Sequence, residues 1–210
     1  MIKALLFDLD DTLYPERAYR QSGLRHLSHV LGRPEYILDL LEEFDRRGTE
    51  PVAQVVKMLL AEYRAHDPTI APYPEVPAVL TQLAGQYPLG LVTDDTTGAQ
   101  QRKIDALGIA GHFRHVTIAR PPHVKPTRRP YLDTLEALHV EPHDAIFLGD
   151  DRDTDILGAN RVGMRAIQII RDGQMKTDQI GPAGSEPAAV IHSLAELPQA
   201  IEELSHAPAR

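Results

Sequence analysis

The chain has 210 residues, which is long enough for one substantial core, or for one core with a small accessory domain. Its hydrophobic content of 42% and charged content of 25% are typical of globular proteins and argue against wholesale disorder. The formal net charge of −8 argues against a general nucleic-acid binder, which needs excess Lys and Arg, but leaves room for a locally basic pocket.

The absence of cysteine excludes disulfides, thiolate zinc sites and cysteine nucleophiles. The N-terminal apolar run reaches acidic residues at Asp8, too early for the apolar core of a signal peptide. No apolar run approaches the ~18 residues that span a bilayer. We therefore expect a cytoplasmic protein with no membrane or nucleic-acid partner.

Short apolar runs alternate with segments of helical spacing along most of the chain. The first run, residues 2–7, ends abruptly in the acidic residues Asp8, Asp10 and Asp11. Further runs lie at 89–92, 145–148 and 166–170, with a weaker one near 113–119. Apolar strands that alternate with helices predict an α/β fold, a doubly wound parallel sheet covered on both faces.

Residues 16–70 interrupt this alternation and show helical spacing alone. Their apolar residues recur as Leu24, Leu27 and Leu31, as Ile37, Leu41 and Phe44, and as Val52, Val55, Val56, Leu59, Leu60 and Tyr63. Prolines bound the block, with Pro15 before it and Pro72 after it. We expect a small all-helical domain over 15–74, inserted into a core domain formed by 1–14 and 75–210. Its stripes predict a helix-bundle core, and its position also suits a lid.

One helix in the second half of the chain has recognisable ends. Thr97 and Gln100 match the capping-box spacing at a helix N-terminus, and Gly108 matches a C-terminal stop. We therefore expect a helix between these residues that begins with a capping box.

Polar residues follow the predicted strands. Asp8 and Asp10 follow the first run, Thr93 follows 89–92, and Asp150 follows 145–148, while Lys125 lies in a loop. Ligands of open α/β sheets bind beyond the carboxyl ends of the strands, so we expect these side chains to meet in one crevice.

The residue types indicate what this crevice could do. Carboxylates at Asp8, Asp10, Asp150, Asp151 and Asp155 would repel one another unless a cation lay among them, and oxygen ligands without His or Cys favour Mg²⁺. A carboxylate can also act as a nucleophile that forms an aspartyl phosphate. Lys125 and Thr93 could then hold the oxygens of a transferring phosphoryl group.

Four segments resemble, in order, the signature motifs of the haloacid dehalogenase superfamily. They are Phe7-Asp8-Leu9-Asp10-Asp11-Thr12-Leu13-Tyr14, Leu91-Val92-Thr93, Val124-Lys125-Pro126, and Gly149-Asp150-Asp151-Arg152-Asp153-Thr154-Asp155. The first is similar to the Asp-x-Asp-x-Thr loop of the phosphatases of this superfamily. Each motif alone is weakly specific, but the resemblance covers nearly the whole chain.

The resemblance implies a role for each residue. Asp8 would be the nucleophile, and Asp10 the general acid for the leaving group and then the base for water. Thr93 would bind phosphoryl oxygens, and Lys125 would stabilise the charge of Asp8 and the phosphate. Mg²⁺ would bind Asp8, the backbone carbonyl of Asp10, and Asp150, with Asp155 in support and Asp151 able to join. The 15–74 block would be the helical cap of one large subgroup, subfamily I.

Two departures from the superfamily pattern stand near the predicted site. Thr93 is followed by Asp94 and Asp95 where relatives often carry Asn or Gly, which adds negative charge. Asp151 stands where a Ser is common.

The leading hypothesis is a phosphomonoesterase acting on a small phosphorylated metabolite, and three alternatives compete with it. A 2-haloacid dehalogenase would need no metal, but such relatives lack the acid that Asp10 provides. A phospho-accepting signalling module of the response-regulator type places its acids in another order and lacks the helical insert. A binding protein that has lost catalysis would lack a motif residue, and none is missing. Substrate and oligomeric state stay open, with nucleotides, sugar phosphates and phosphoglycolate all possible.

Overall fold

The computed structural model describes residues 1–33, 51–172 and 181–206. Its strands are β1 (Ala4–Phe7), β2 (Leu89–Asp94), β3 (His115–Ala119), β4 (Ala145–Gly149), β5 (Arg165–Ile169) and β6 (Ala189–Ile191). Its helices are α1 (Glu16–Leu31), α2 (Pro51–Ala65), α3 (Val76–Ala84), α4 (Thr97–Leu107), α5 (Arg129–Leu138), α6 (Leu157–Val162) and α7 (Leu197–His206). A π-helical turn, Arg152–Ile156, precedes α6.

The six strands form one parallel sheet in the order β3-β2-β1-β4-β5-β6. The predicted α/β fold with a parallel sheet is confirmed, and the weak apolar run near 113–119 is the edge strand β3. This order is that of the Rossmann fold. Strands are added first on one side of β1 and then on the other, so the strand order reverses between the two central strands. Here the reversal lies between β1 and β4, so their carboxyl ends flank the crevice where ligands bind.

Both faces of the sheet are buried because successive side chains of a strand point to opposite faces. Leu5 and Phe7 of β1 pack in the core cluster that includes α3, α4 and α7. Ala4 and Leu6 pack in the cluster that includes α5 and α6. All four β1 residues are buried, which explains why the strand is apolar throughout rather than alternating.

Helices α1 and α2 lie between β1 and α3 in the sequence. They pack against each other. Tyr19 of α1 and Tyr63 of α2 meet edge to face with ring centroids 5.5 Å apart. Gly23 permits this approach, because a Cβ there would overlap the Tyr63 ring. The predicted stripe at Ile37, Leu41 and Phe44 lies outside the described residues, and the proposed domain boundaries stay a prediction.

The ends of α4 confirm one sequence prediction and correct another. Gly108 ends the helix in the left-handed conformation with φ 67°, as expected. The capping box is wrong: Thr96 is the N-cap and makes no side-chain capping bond, so Thr97 already lies inside the helix. Gln100 is therefore free of the cap, and its side chain reaches across to Asp10.

In the part of the chain that the structure describes, no helix is both long and apolar enough to cross a membrane.

Candidate active site

Asp8 and Asp150 lie side by side at the point where the sheet order reverses. They directly follow β1 and β4, whose register pairs Phe7 with Leu148. The Asp8 amide donates to the carbonyl oxygen of Leu148 at 2.9 Å. This bond extends the hydrogen-bond ladder between β1 and β4 by one residue. The two acids therefore emerge from neighbouring strands into the same crevice, as the sequence predicted.

Lys125 is buried between two of the acids. Its ammonium donates to Asp8 Oδ1 and, at 2.7 Å, to Asp155 Oδ1. Burial alone would lower the pKa of Lys125, but the carboxylates of Asp155 and Asp8 raise it well above its usual value. The raised pKa favours the charged form of Lys125 beside Asp8. Asp94 helps to place it, since its Oδ1 accepts the Lys125 amide at 3.2 Å.

Three carboxylates are crowded around this lysine. One oxygen from each of Asp8, Asp150 and Asp155 lies within 4.8 Å of the others. Burial, followed by repulsion from Asp155, raises the pKa of Asp8 to about 8 and that of Asp150 to about 9. A single ammonium cannot neutralise three ionised carboxylates, and their oxygen ligands suit a hard dication such as Mg²⁺.

Gly149 makes the close approach of Asp155 possible. A Cβ at this position would overlap the Asp155 carboxylate, so the requirement for glycine at the end of β4 has a steric basis. Asp155 Oδ2 also accepts the amide of Asp151 at 3.2 Å. The Asp151 side chain in turn accepts the amides of Asp153 and Thr154, which caps the π-helical turn.

Asp10 is held differently from the other acids. Its Oδ1 accepts bonds from the ammonium of Lys103, at 2.7 Å, and from the Tyr14 hydroxyl. Its Oδ2 accepts the Gln100 amide at 3.1 Å. The side chain of Asp10 is 25% exposed, whereas that of Lys103 is only 4% exposed. Sequence reasoning missed Lys103, because nothing in a helical lysine indicates that it reaches a carboxylate 93 positions away.

The cavity above these strand ends has a volume of about 520 Å³. It brings together the five predicted residues Asp8, Asp10, Thr93, Lys125 and Asp150. Thr93, at the end of β2, is buried. Arg17 and Arg20 of α1 also line this cavity, so the first part of this helix borders it.

Residues 5–169 match the profile of the haloacid dehalogenase-like hydrolase family. The chain belongs to this family. It is 34% identical to a glyceraldehyde 3-phosphate phosphatase of Methanopyrus kandleri, in an alignment of 200 positions that covers 81% of this chain and 85% of the relative. It is 29% identical to a phosphoglycolate phosphatase of Aquifex aeolicus, covering 78% and 83%.

Solved structures of this haloacid dehalogenase family share the fold. The crystal structure of a phosphatase of Thermococcus onnurineus superposes with a TM-score of 0.64 at 27% identity, covering 95% of this chain and 98% of that one. The prediction that the protein is a phosphatase of the haloacid dehalogenase superfamily is confirmed. The roles of the individual site residues stay predictions.

Proposed function

We propose that this haloacid dehalogenase-like hydrolase is a Mg²⁺-dependent phosphomonoesterase that cleaves a small phosphorylated metabolite through an aspartyl phosphate on Asp8. The observation that carries the proposal is the Lys125 ammonium, buried between Asp8 and Asp155 beside Asp150. If Asp8 is the nucleophile, the Lys125 ammonium beside it would neutralise the charge of a phosphoryl group during transfer.

The reaction would run in two steps, transfer of the phosphoryl group to Asp8 and hydrolysis of the aspartyl phosphate. An Asp8 oxygen attacks phosphorus, the bond to the leaving oxygen breaks, and Asp10 gives that oxygen a proton. Water then attacks phosphorus, gives its proton to Asp10, and the bond between phosphorus and Asp8 breaks. Lys125 and Thr93 would hold the phosphoryl oxygens throughout.

The metal site would use Asp8, the Asp10 backbone carbonyl and Asp150. The Asp10 carboxylate is engaged elsewhere, by Lys103, Tyr14 and Gln100. Asp155 would act indirectly, because its oxygens bind Lys125 and the Asp151 amide. Bound Mg²⁺ would supply charge neutralisation for the phosphoryl oxygens. This assignment is supported by the crowding of the carboxylates and by the raised pKa values of Asp8 and Asp150.

The region 15–74 would serve as a helical cap on the core formed by 1–14 and 75–210. Support comes from Arg17 and Arg20 of α1, which line the same cavity as the acids at the strand ends. Two of the relatives are named for glyceraldehyde 3-phosphate and phosphoglycolate. Small phosphorylated aldehydes and carboxylic acids are therefore the first substrates to test.

A phosphate-release assay tests this proposal. The purified protein is given p-nitrophenyl phosphate, glyceraldehyde 3-phosphate, phosphoglycolate and phosphoserine, with Mg²⁺ or with excess EDTA. We expect release that requires Mg²⁺ and is absent from Asp8→Asn. Full activity in EDTA, or in Asp8→Asn, would contradict the proposal, and release of halide from 2-chloropropionate without metal would establish the dehalogenase alternative.

A further inference from the structure

We propose that Lys103 is a positioning residue that orients Asp10 for proton transfer, an inference that rests on the proposed function. Lys103 lies on α4 and belongs to none of the motifs noted in the sequence. Its Nζ lies 2.7 Å from Asp10 Oδ1. It touches no reacting atom, so its effect on the reaction passes through Asp10.

The surroundings of Lys103 make this contact its main polar interaction. Its side chain is almost wholly buried, and buried ammonium groups are rare unless they are paired. The ring of Tyr19 covers the ammonium, with the centroid 4.4 Å from Nζ. Within the described residues, Nζ hydrogen-bonds no acceptor other than Asp10. The Lys103–Asp10 pair therefore connects the Asp10 carboxylate to helix α4.

The two oxygens of Asp10 are held unequally. Oδ1 accepts hydrogen bonds from both the Lys103 ammonium and the Tyr14 hydroxyl. Among the described residues, Oδ2 accepts a hydrogen bond from the Gln100 amide alone, at 3.1 Å, and that amide also donates to the Asp94 carbonyl at 2.6 Å. Lys103 thus anchors Oδ1 and leaves Oδ2 as the oxygen that exchanges the proton. Oδ2 gives its proton to the leaving oxygen in the first step and takes one from water in the second, and Lys103 takes part in neither transfer.

Lys103→Met tests the proposal because methionine keeps the unbranched apolar stem but cannot donate to Asp10. We expect kcat to fall by about tenfold or more, a part of the ~10²–10⁴-fold that general acid–base catalysis supplies, with KM unchanged. Lys103→Arg retains a charged donor and should recover part of kcat. Lys57→Met, an exposed lysine on α2, is the matched control and should leave both constants unchanged.

The leaving group provides a readout that a purely structural role would not move. Phenyl phosphate and p-nitrophenyl phosphate share a ring, but only the phenolate needs substantial protonation as it departs. In single turnovers, Lys103→Met should slow phosphorylation of Asp8 by phenyl phosphate and nearly spare it with p-nitrophenyl phosphate. Equal losses for both esters, or full activity in Lys103→Met, would overturn the proposal.

A double-mutant cycle connects the effect to Asp10. If Lys103 acts through Asp10, then adding Lys103→Met to Asp10→Asn should cost no further activity. Additive losses would show that Lys103 acts by another route. A wild-type rate in Asp8→Asn would instead contradict the proposed function, whatever Lys103→Met does. Thermal unfolding of each variant identifies losses that follow only from lower stability.

Discussion

At the scale of single residues, Asp8 and Asp10 are both aspartates of one loop, but their surroundings differ. Asp8 is 5% exposed and bound to Lys125, whereas Asp10 is 25% exposed and bound to Lys103. The first environment suits a nucleophile beside a fixed charge, and the second suits a group that can reach a leaving oxygen. This difference lets the two roles be tested separately.

Asp8→Asn should abolish turnover, because an amide cannot act as the nucleophile. Asp10→Asn should retain the first step with p-nitrophenyl phosphate, since nitrophenolate leaves without much protonation, while hydrolysis of the aspartyl phosphate loses its base. Intact-protein mass spectrometry after an acid quench should therefore show the phosphoryl mass on Asp10→Asn and not on Asp8→Asn. Phosphate found on Asp8→Asn would place the nucleophile elsewhere.

Gly149→Ala should damage the site through sterics alone. The added methyl would overlap the Asp155 carboxylate and displace it from Lys125. Overpacking of this kind costs about 1–3 kcal/mol of stability, and we expect kcat to fall as well. Gly111→Ala is a matched control, because a Cβ there meets no atom within 4 Å. Chemical denaturation and the nitrophenyl assay measure both effects, and equal behaviour of the two variants would contradict the steric explanation.

At the scale of elements, the α1–α2 pair depends on the close contact of Gly23 with Tyr63. Gly23→Ala should force these helices apart, because the methyl has no space beside the ring. Since Arg17 and Arg20 of α1 line the cavity, we expect a changed ranking of substrates. Gly85→Ala, at the end of α3 with φ −72°, should be nearly neutral.

The substrate panel described above measures this ranking, with p-nitrophenyl phosphate as the internal reference for Asp8 chemistry. If a folded Gly23→Ala protein kept the ranking of the parent, α1 would not select the substrate.

At the scale of the whole molecule, the crowded carboxylates connect stability to pH and to Mg²⁺. The pKa values of Asp8 and Asp150 are raised to about 8 and about 9 in the folded chain, against about 3.9 when unfolded. Between about pH 4 and pH 9 the native state binds more protons than the unfolded state at these groups. The free energy of unfolding of the metal-free protein should therefore fall as pH rises through this window.

Mg²⁺ should reverse this loss because it neutralises the ionised carboxylates of the native state alone. At 100 times its Kd, the ion adds about 2.7 kcal/mol to the free energy of unfolding. We expect a larger rise in Tm at pH 8 than at pH 5, and a smaller rise in Asp150→Asn at both values. Asp105→Asn, an exposed acid on α4, is the control for surface charge. A rise independent of pH and of Asp150 would mean that Mg²⁺ binds elsewhere.

Much of this protein was determined by local features of its sequence. The apolar runs predicted β1 to β5 because strands buried on both faces of a parallel sheet must be apolar throughout. The acids and Thr93 were placed correctly because the carboxyl ends of parallel strands share one edge of the sheet. Gly108 was identified as a helix end because its left-handed conformation favours glycine.

Only the tertiary structure decided the contacts between distant side chains. The spacing of Thr97 and Gln100 predicted a capping box that does not form, because Gln100 instead donates to Asp10, a residue that local sequence cannot relate to it. The Lys103–Asp10 pair joins residues 93 positions apart, and a helical lysine looks the same in sequence whether it faces solvent or a carboxylate. Periodicity reports which face of a helix is buried, whereas strand order and helix packing determine what that face meets.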